Sequence, residues 1–468
     1  MRFLTRTEFA IALLAGVLSL GTVQAQTTPA SPAPAPPVRT PTAAPTPTPD
    51  RQPLPDTTEV QPWSLHFQQT IIDQWHNKFS APRTGEYSLE PVEKAKVSLT
   101  TTLFIGRRLW RGASLYFNPE VAGGSGLSGA RGVAGFVNGE AFRIGNPSPE
   151  PYLARLFLRQ VWAIGSKSAT ADDAPNQLGG PAPTHYIALN AGKFSLSDYF
   201  DLNSYSHDPR TQFYNWSLMS TGAWDYPANT RGYTVGVVAE YVTPAFALRA
   251  ASTLVPAEAN GPVLEKNYGR SHSETVELTR TTTLRGRPGA VRLLGFLTHA
   301  HMGDYRLAIE RPDLDLTATR AQGRTKYGGS LNIEQALTDQ VGVFARASLN
   351  DGRHETWAFT EIDHSVSVGT SSAGSRWQRP NDRLGLAFVG NGISQPHRDF
   401  LAAGGHGFII GDGYLKYAPE LIGELYYSFN IPKYYVTLSP DYQFVINPGY
   451  NRDRGPVHVV GLRAHVAF

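Results

Sequence analysis

The sequence predicts an all-β fold: a transmembrane antiparallel β-barrel of about sixteen strands, with long extracellular loops and mostly short periplasmic turns. Three observations lead there. An export signal opens the chain, yet no later apolar run approaches the roughly 18 residues that a spanning helix needs. From Trp63 to Phe468, short segments alternate apolar and polar residues with period two. Long and short connections between these segments take turns, as a barrel with both ends in the periplasm requires. A chain that crosses lipid without helices must close its sheet, because only closure satisfies every backbone group there.

The opening residues fit a signal peptide over 1–25. Arg2 and Arg6 precede an apolar run from Phe9 to Leu20, and Val23-Gln24-Ala25 offers a small-residue cleavage site. Residues 26–62 are rich in Pro, Ala and Thr, a composition that buries no core and favours extended segments, so a disordered periplasmic segment is expected. The barrel domain then occupies 63–468. Composition agrees: a hydrophobic fraction of only 41% suits strands with one face in water. The absence of cysteine excludes a disulfide scaffold, a lipidated cysteine and a thiolate metal site. A net charge of +3 on 468 residues gives no reason to expect nucleic acid.

The first strand sets Trp63, Leu65 and Phe67 against Ser64, His66, Gln68 and Thr70. The second, 96–105, sets Val97, Leu99, Leu103 and Ile105 against Ser98, Thr100 and Thr102; the third sets Leu115, Phe117 and Val121 against Ser114, Tyr116, Asn118 and Glu120. Thirteen more are expected near 152–164, 184–194, 230–242, 244–254, 273–284, 287–300, 324–334, 339–350, 353–366, 381–390, 418–428, 433–446 and 455–468. In the sixth, Tyr233, Val235, Val237, Ala239 and Tyr241 share one face. Its two tyrosines are about 27 Å apart at the usual rise, the spacing of two interfacial aromatic girdles. The last strand turns Val460, Leu462, Ala464, Val466 and Phe468 one way and Gly461, Arg463, His465 and Ala467 the other. Its terminal Phe468 is the expected barrel-closing signal for the assembly machinery.

Three connections resist the alternation. Segments 165–183 and 367–380 are long where short turns are due, and Asn350-Asp351-Gly352 resembles a tight hairpin where a loop is due.

Several motifs imitate catalytic sites. Gly124-Ser125-Gly126-Leu127-Ser128-Gly129 fits a dinucleotide fingerprint, but no helical periodicity follows it, so a glycine-rich outer loop is the better reading. Glu361 and Asp363 share a strand face as a glycosidase pair might. His299 and His301 share a face but have no carboxylate partner in sequence, so no metal site is indicated. No G-x-S-x-G elbow is present. No catalytic residue and no cofactor are expected.

The inward faces carry the functional expectation. The lumen receives Arg155, Phe157, Arg159, Arg249, Arg292, Arg346, Arg383 and Arg463 with Glu120, Glu240, Glu334, Glu424 and Asp441. The strand after Asp351 adds Trp357, Phe359 and Glu361. Arginine and carboxylate groups match sugar hydroxyls, and aromatic faces match the C–H side of a pyranose. From these come the expected sugar-path residues Arg155, Phe157, Arg159, Glu240, Arg249, Arg346, Trp357, Glu361 and Asp441.

Several long blocks carry a family resemblance: GKFSLSDYFD, NSYSHDPRTQFYNWSLM and GAWDYPANTRGYTVG within Gly192–Tyr241, SLTTTLFIGRRLWRGASLYFNPEVAGGSGLSG, NDGRHETWAFTEID, and the ending DYQFVINPGYNRDRGPVHVVGLRAHVAF. The chain from Trp63 onward resembles the carbohydrate-selective, OprB-like porins of Gram-negative outer membranes. The resemblance implies passive, selective diffusion of mono- and oligosaccharides through a barrel narrowed by inward-folded outer loops, with His207, Asp208 and Arg210 in one of them. It also implies outer-membrane lipid and the barrel-assembly machinery as partners, and leaves a homo-oligomer open. Two other readings stand beside it: a general diffusion porin for polar or anionic solutes, and a secreted β-rich glycoside hydrolase.

Overall fold

The computed structural model describes residues 61–142, 144 and 146–468; the expected signal peptide and nearly all of the Pro-rich segment lie outside the described residues. The strands are β1 (Trp63–His76), β2 (Lys96–Trp110), β3 (Ala113–Gly123), β4 (Glu150–Ala163), β5 (Ser168–Ala171), β6 (Gly180–Pro183), β7 (Tyr186–Phe194), β8 (Thr234–Val242) and β9 (Phe246–Thr253). They continue as β10 (His272–Leu284), β11 (Arg287–Ala300), β12 (Arg324–Ala336), β13 (Val341–Asn350), β14 (His364–Gly374), β15 (Arg379–Gly392), β16 (Glu420–Ile431), β17 (Val436–Ile446) and β18 (Val457–Ala467). All but β5 and β6 join one closed antiparallel barrel, each strand pairing its neighbours in sequence, with β1 against β18 closing the ring. No helix among the described residues is long and apolar enough to cross a membrane.

The period-two pattern has the meaning the sequence gives it. On β1, Trp63 and Leu65 point outward, 54% and 66% exposed, while Ser64 and Thr70 are buried inside. On β11, Leu293 and Leu297 face out whereas Arg292, Leu294 and Phe296 face a filled interior. Exposed outward leucines, valines and aromatics are what an acyl-chain environment requires.

Even connections are short turns: 111–112, 243–245, 285–286, 337–340, 375–378 and 432–435. Odd ones are long: 77–95, 124–149, 195–233, 254–271, 301–323, 351–363, 393–419 and 447–456. The exception is 164–185, which contains the β5–β6 hairpin. Asp173 at its tip accepts hydrogen bonds from Gln61 Nε2 and Ser64 Oγ, tying the hairpin to the start of β1.

Two expectations are corrected here. The strand expected at 353–366 is instead β14, so Asn350-Asp351-Gly352 opens an outer loop and 375–378 is the short turn that the alternation demands. Trp357, Phe359 and Glu361 alternate in sequence like a strand, yet their segment bends at Ala358 and Phe359, and the amides of Trp357, Ala358 and Phe359 converge on one side chain, that of Asp225, rather than pairing with a neighbouring strand. Tyr233 is not an interfacial girdle residue: it follows Gly232, whose φ of +90° turns the chain, and its ring is 4% exposed inside the barrel.

Candidate functional site: a lumen narrowed by pinned loops

Segments 124–149 and 195–233 descend into the barrel, and the inward carboxylates and arginines of the wall hold them there. Glu420 accepts the backbone N–H groups of Ala134 and Gly135 at 3.0 and 2.8 Å. Glu424, two inward positions along β16, accepts those of Tyr214 and Asn215 at 2.5 and 3.0 Å. Glu277 accepts from Asp201 N and Glu334 from Ser204 N. Guanidinium groups take the carbonyls: Arg463 Nη1 donates to Pro209 O and Gln212 O, both at 2.7 Å, and Arg346 donates to Leu218 O, Ser206 O and Asp201 Oδ1. The two loops also bond to each other, Gly139 N to Tyr214 O and Trp216 N to Phe136 O. Tyr205 packs so closely on β13 that a Cβ at Gly342 would lie about 2 Å from its ring. Buried peptide groups need partners, and charged side chains on the wall supply them.

A second tier of loops is pinned to the first. Asp225 accepts the amides of Trp357, Ala358 and Phe359 at 2.6–2.9 Å. Glu361 in turn accepts those of Ile409 and Ile410 at 2.7 and 2.8 Å. Trp216, in the short helix α1 (Trp216–Met219), lies 4.9 Å from the ring of Phe359, with Tyr226 beside both. The helices α2 (Tyr305–Ile309) and α3 (Gln395–Ala402) close this tier, Tyr305 stacking on His397 at 4.3 Å. His397 Nδ1 lies 3.1 Å from Asp363 Oδ2. Burial alone would raise Asp363, but its hydrogen bond with His397, the charges of His397 and Lys326 and the Ser394 amide outweigh this and hold the carboxyl well below the usual range.

The expected site residues therefore divide. Arg346 and Asp441 face inward on β13 and β17 but are buried, Arg346 on the loop carbonyls and Asp441 beside Gln443 Nε2 at 3.1 Å. Trp357 and Glu361 are in the 351–363 loop, not on a wall strand. Trp357 is 2% exposed with Nε1 donating to Pro256 O, so its ring presents no face to a solute. Phe157 is stacked on Tyr116 at 5.0 Å and nearly covered.

Arg155, Arg159, Glu240, Arg249 and Arg210 do come together. Arg155 on β4 donates through Nε and Nη2 to both oxygens of Asp198, at 2.7 and 2.6 Å. Arg159, two inward positions further along β4, bonds Glu240 Oε1 at 2.5 Å and Asn190 Oδ1 at 2.9 Å, while Arg249 Nε takes Glu240 Oε2 at 3.1 Å. Arg210 reaches from the inward loop to Glu140 at 2.9 Å, Glu120 at 3.2 Å and Thr102 at 3.2 Å. Tyr233 Oη donates to Glu120 at 2.9 Å, and Tyr152 Oη bonds the same carboxylate. His207 and Asp208, half-buried beside Arg210, form the turn that presents it: Asp208 Oδ1 accepts from Arg210 N and Gln212 Oε1 accepts from His207 N. Within this cluster Asp198 and Arg159 keep 26% and 23% side-chain exposure, and since both point inward that surface faces lumenal water. Asp198 and Glu140 were not singled out by sequence; Asp198 sits within GKFSLSDYFD, and only its contact with Arg155 distinguishes it from the other loop acids.

A family model described as carbohydrate-selective porin, OprB family, matches residues 88–468. The chain belongs to this family. Among solved structures, the high-pH form of Pseudomonas putida OprB is similar at 16% identity, covering 87% of this chain and 94% of that one with a TM-score of 0.63. The outer-membrane channel DcaP of Acinetobacter baumannii is similar at 11% identity, covering 88% and 99% with a TM-score of 0.48. No curated protein matches the chain in sequence. The OprB-family chain is thus an outer-membrane sugar porin of the Gram-negative envelope. Family and fold are those of a channel rather than an enzyme.

Proposed function

We propose that small sugars diffuse passively past the ion-paired cluster of Arg155, Asp198, Arg159, Arg210 and Glu140. The observation that carries this reading is the division of labour in the lumen. Six wall charges, Glu277, Glu334, Glu420, Glu424, Arg346 and Arg463, are consumed by loop peptide groups, whereas this cluster keeps polar surface toward water. Guanidinium forks and carboxylates side by side offer donors and acceptors at the spacing of neighbouring hydroxyls. Because each arginine has a carboxylate partner, the cluster has little net field with which to select anions. Liposome swelling tests it. Monosaccharides and disaccharides should enter faster than size-matched uncharged non-sugars, and Arg155→Ala with Arg159→Ala should narrow that ratio; swelling ordered by size alone would reduce the channel to a general porin.

The same reading includes cleavage after Ala25, a periplasmic segment over 26–62, and recognition of β18 by the assembly machinery. It also includes self-association. What supports the last is Asp73, which points outward from β1 two residues before Trp75 and suits a partner copy better than acyl chains. Chemical cross-linking in intact outer membranes separates a homo-oligomer from a monomer.

A further inference from the structure

We propose that His272, Glu274 and His299 form a divalent transition-metal site on the outward surface of the barrel, at its extracellular rim. The proposal is independent of the sugar path, which lies on the other face of the wall. His272 and His299 are direct cross-strand partners between β10 and β11, and Glu274 follows His272 by two residues on the same face. Their ligand atoms all lie within 4.8 Å of one another, and His272 Nε2 is 3.7 Å from Glu274 Oε1. The carboxylate that His299 lacks in its own strand comes from the neighbouring one, which sequence spacing does not reveal.

The surroundings orient these groups as ligands. His272 Nδ1 is 2.8 Å from the carbonyl of Tyr268, which only accepts, so Nδ1 carries the proton and Nε2 presents its lone pair toward Glu274. His299 Nδ1 lies 2.9 Å from Thr325 Oγ1, its cross-strand neighbour on β12, leaving Nε2 available when Nδ1 donates. Tyr268 Oη donates to Glu274 Oε1 at 3.0 Å, and its ring stacks on His272 at 4.6 Å. Imidazoles held by a second hydrogen bond, with a carboxylate fixed by a hydroxyl, are the outer shell that metal ligands generally require. Tetrahedral bonds of about 2.0–2.1 Å put ligand atoms about 3.3–3.4 Å apart, so modest side-chain rotations close the set. Two imidazoles and one carboxylate select zinc or a similar borderline cation and leave one coordination position open.

The probe is zinc alone, added to the full-length mature barrel in detergent without a polyhistidine tag, with binding read by calorimetry. Wild type should take up one zinc ion per chain at this site. His299→Ala and the near-isosteric Glu274→Gln should each weaken binding by at least about tenfold, since even outer-shell partners cost that much. Heat-modified gel mobility confirms that each variant remains a closed barrel. Wild-type binding that is absent, or that persists unchanged in both variants, overturns the site.

Discussion

Arg155 and Asp198 meet as a two-pronged ion pair that joins wall strand β4 to the start of the inward loop, and both keep some lumenal exposure. Replacing the acid frees the base. Asp198→Asn should leave the barrel intact and shift the channel toward anions, read as a reversal potential displaced in the anion-selective direction across a salt gradient in planar bilayers. An unchanged reversal potential would mean that Arg155 does not face the conducting path.

Glu424 should matter for the loop rather than for the sugar. Truncation to Ala strips the Tyr214 and Asn215 amides of their acceptor, at about 1–3 kcal/mol for each buried group left unpaired. Single-channel recordings of Glu424→Ala should show higher and noisier conductance, whereas Glu424→Gln, which keeps an acceptor oxygen, should lie nearer to wild type.

Trp357 distinguishes a packing role from a sugar-binding one. Removing so large a buried ring typically costs about 3–5 kcal/mol, and in Trp357→Ala Pro256 O also loses its donor. Thermal denaturation should shift downward. Trp357→Phe should keep sugar-dependent swelling close to normal, and a selective loss of sugar flux in that variant would restore the ring to the path.

Acid should loosen the extracellular tier. Asp363 titrates below its unfolded value, so its stabilisation is present above about pH 4 and is lost as pH falls toward the folded value. Hydrogen exchange in 393–402, corrected for intrinsic rates, should accelerate between pH 7 and pH 3. Asp363→Asn should already exchange fast at pH 7 and respond little to acid.

Phe468 ends the closing strand, its backbone exchanging hydrogen bonds with Phe67 at 2.9 and 3.1 Å and its ring 5.2 Å from that of Phe67. The ring contact is worth about 0.5–1.5 kcal/mol, too little to decide whether a barrel forms. Phe468→Ala should therefore refold in detergent like wild type yet accumulate poorly in the outer membrane of cells, as judged by heat-modified mobility in membrane fractions.

The wall was readable because each of its strands declares its two faces locally: Leu293 and Leu297 against Arg292 need no distant information. The loops were not. Glu424 contacts residues some 210 positions away, and nothing in its strand distinguishes a carboxylate waiting for a peptide group from one waiting for a sugar. Trp357, Phe359 and Glu361 misled for a related reason: their spacing is that of a strand, but Asp225, more than 130 positions away, gathers the amides of Trp357, Ala358 and Phe359 at a bend. Arg155 and Arg159 reach Asp198 and Glu240 on the inner side of the wall because the alternation of their own strand sets their direction.

The inward loops are gripped largely by their peptide groups, which every residue type carries. At Ala134, Gly135, Tyr214 and Asn215 the wall carboxylates address the main chain. Loop side chains that make no bond to the wall can therefore be rewritten without unfastening the loops, whereas Asp198, Asp201 and Arg210 are themselves anchors. The barrel amounts to a socket of fixed shape into which loops of different chemistry can be seated, so substrate preference can be redesigned, or can drift, while the channel's bore and anchoring stay the same.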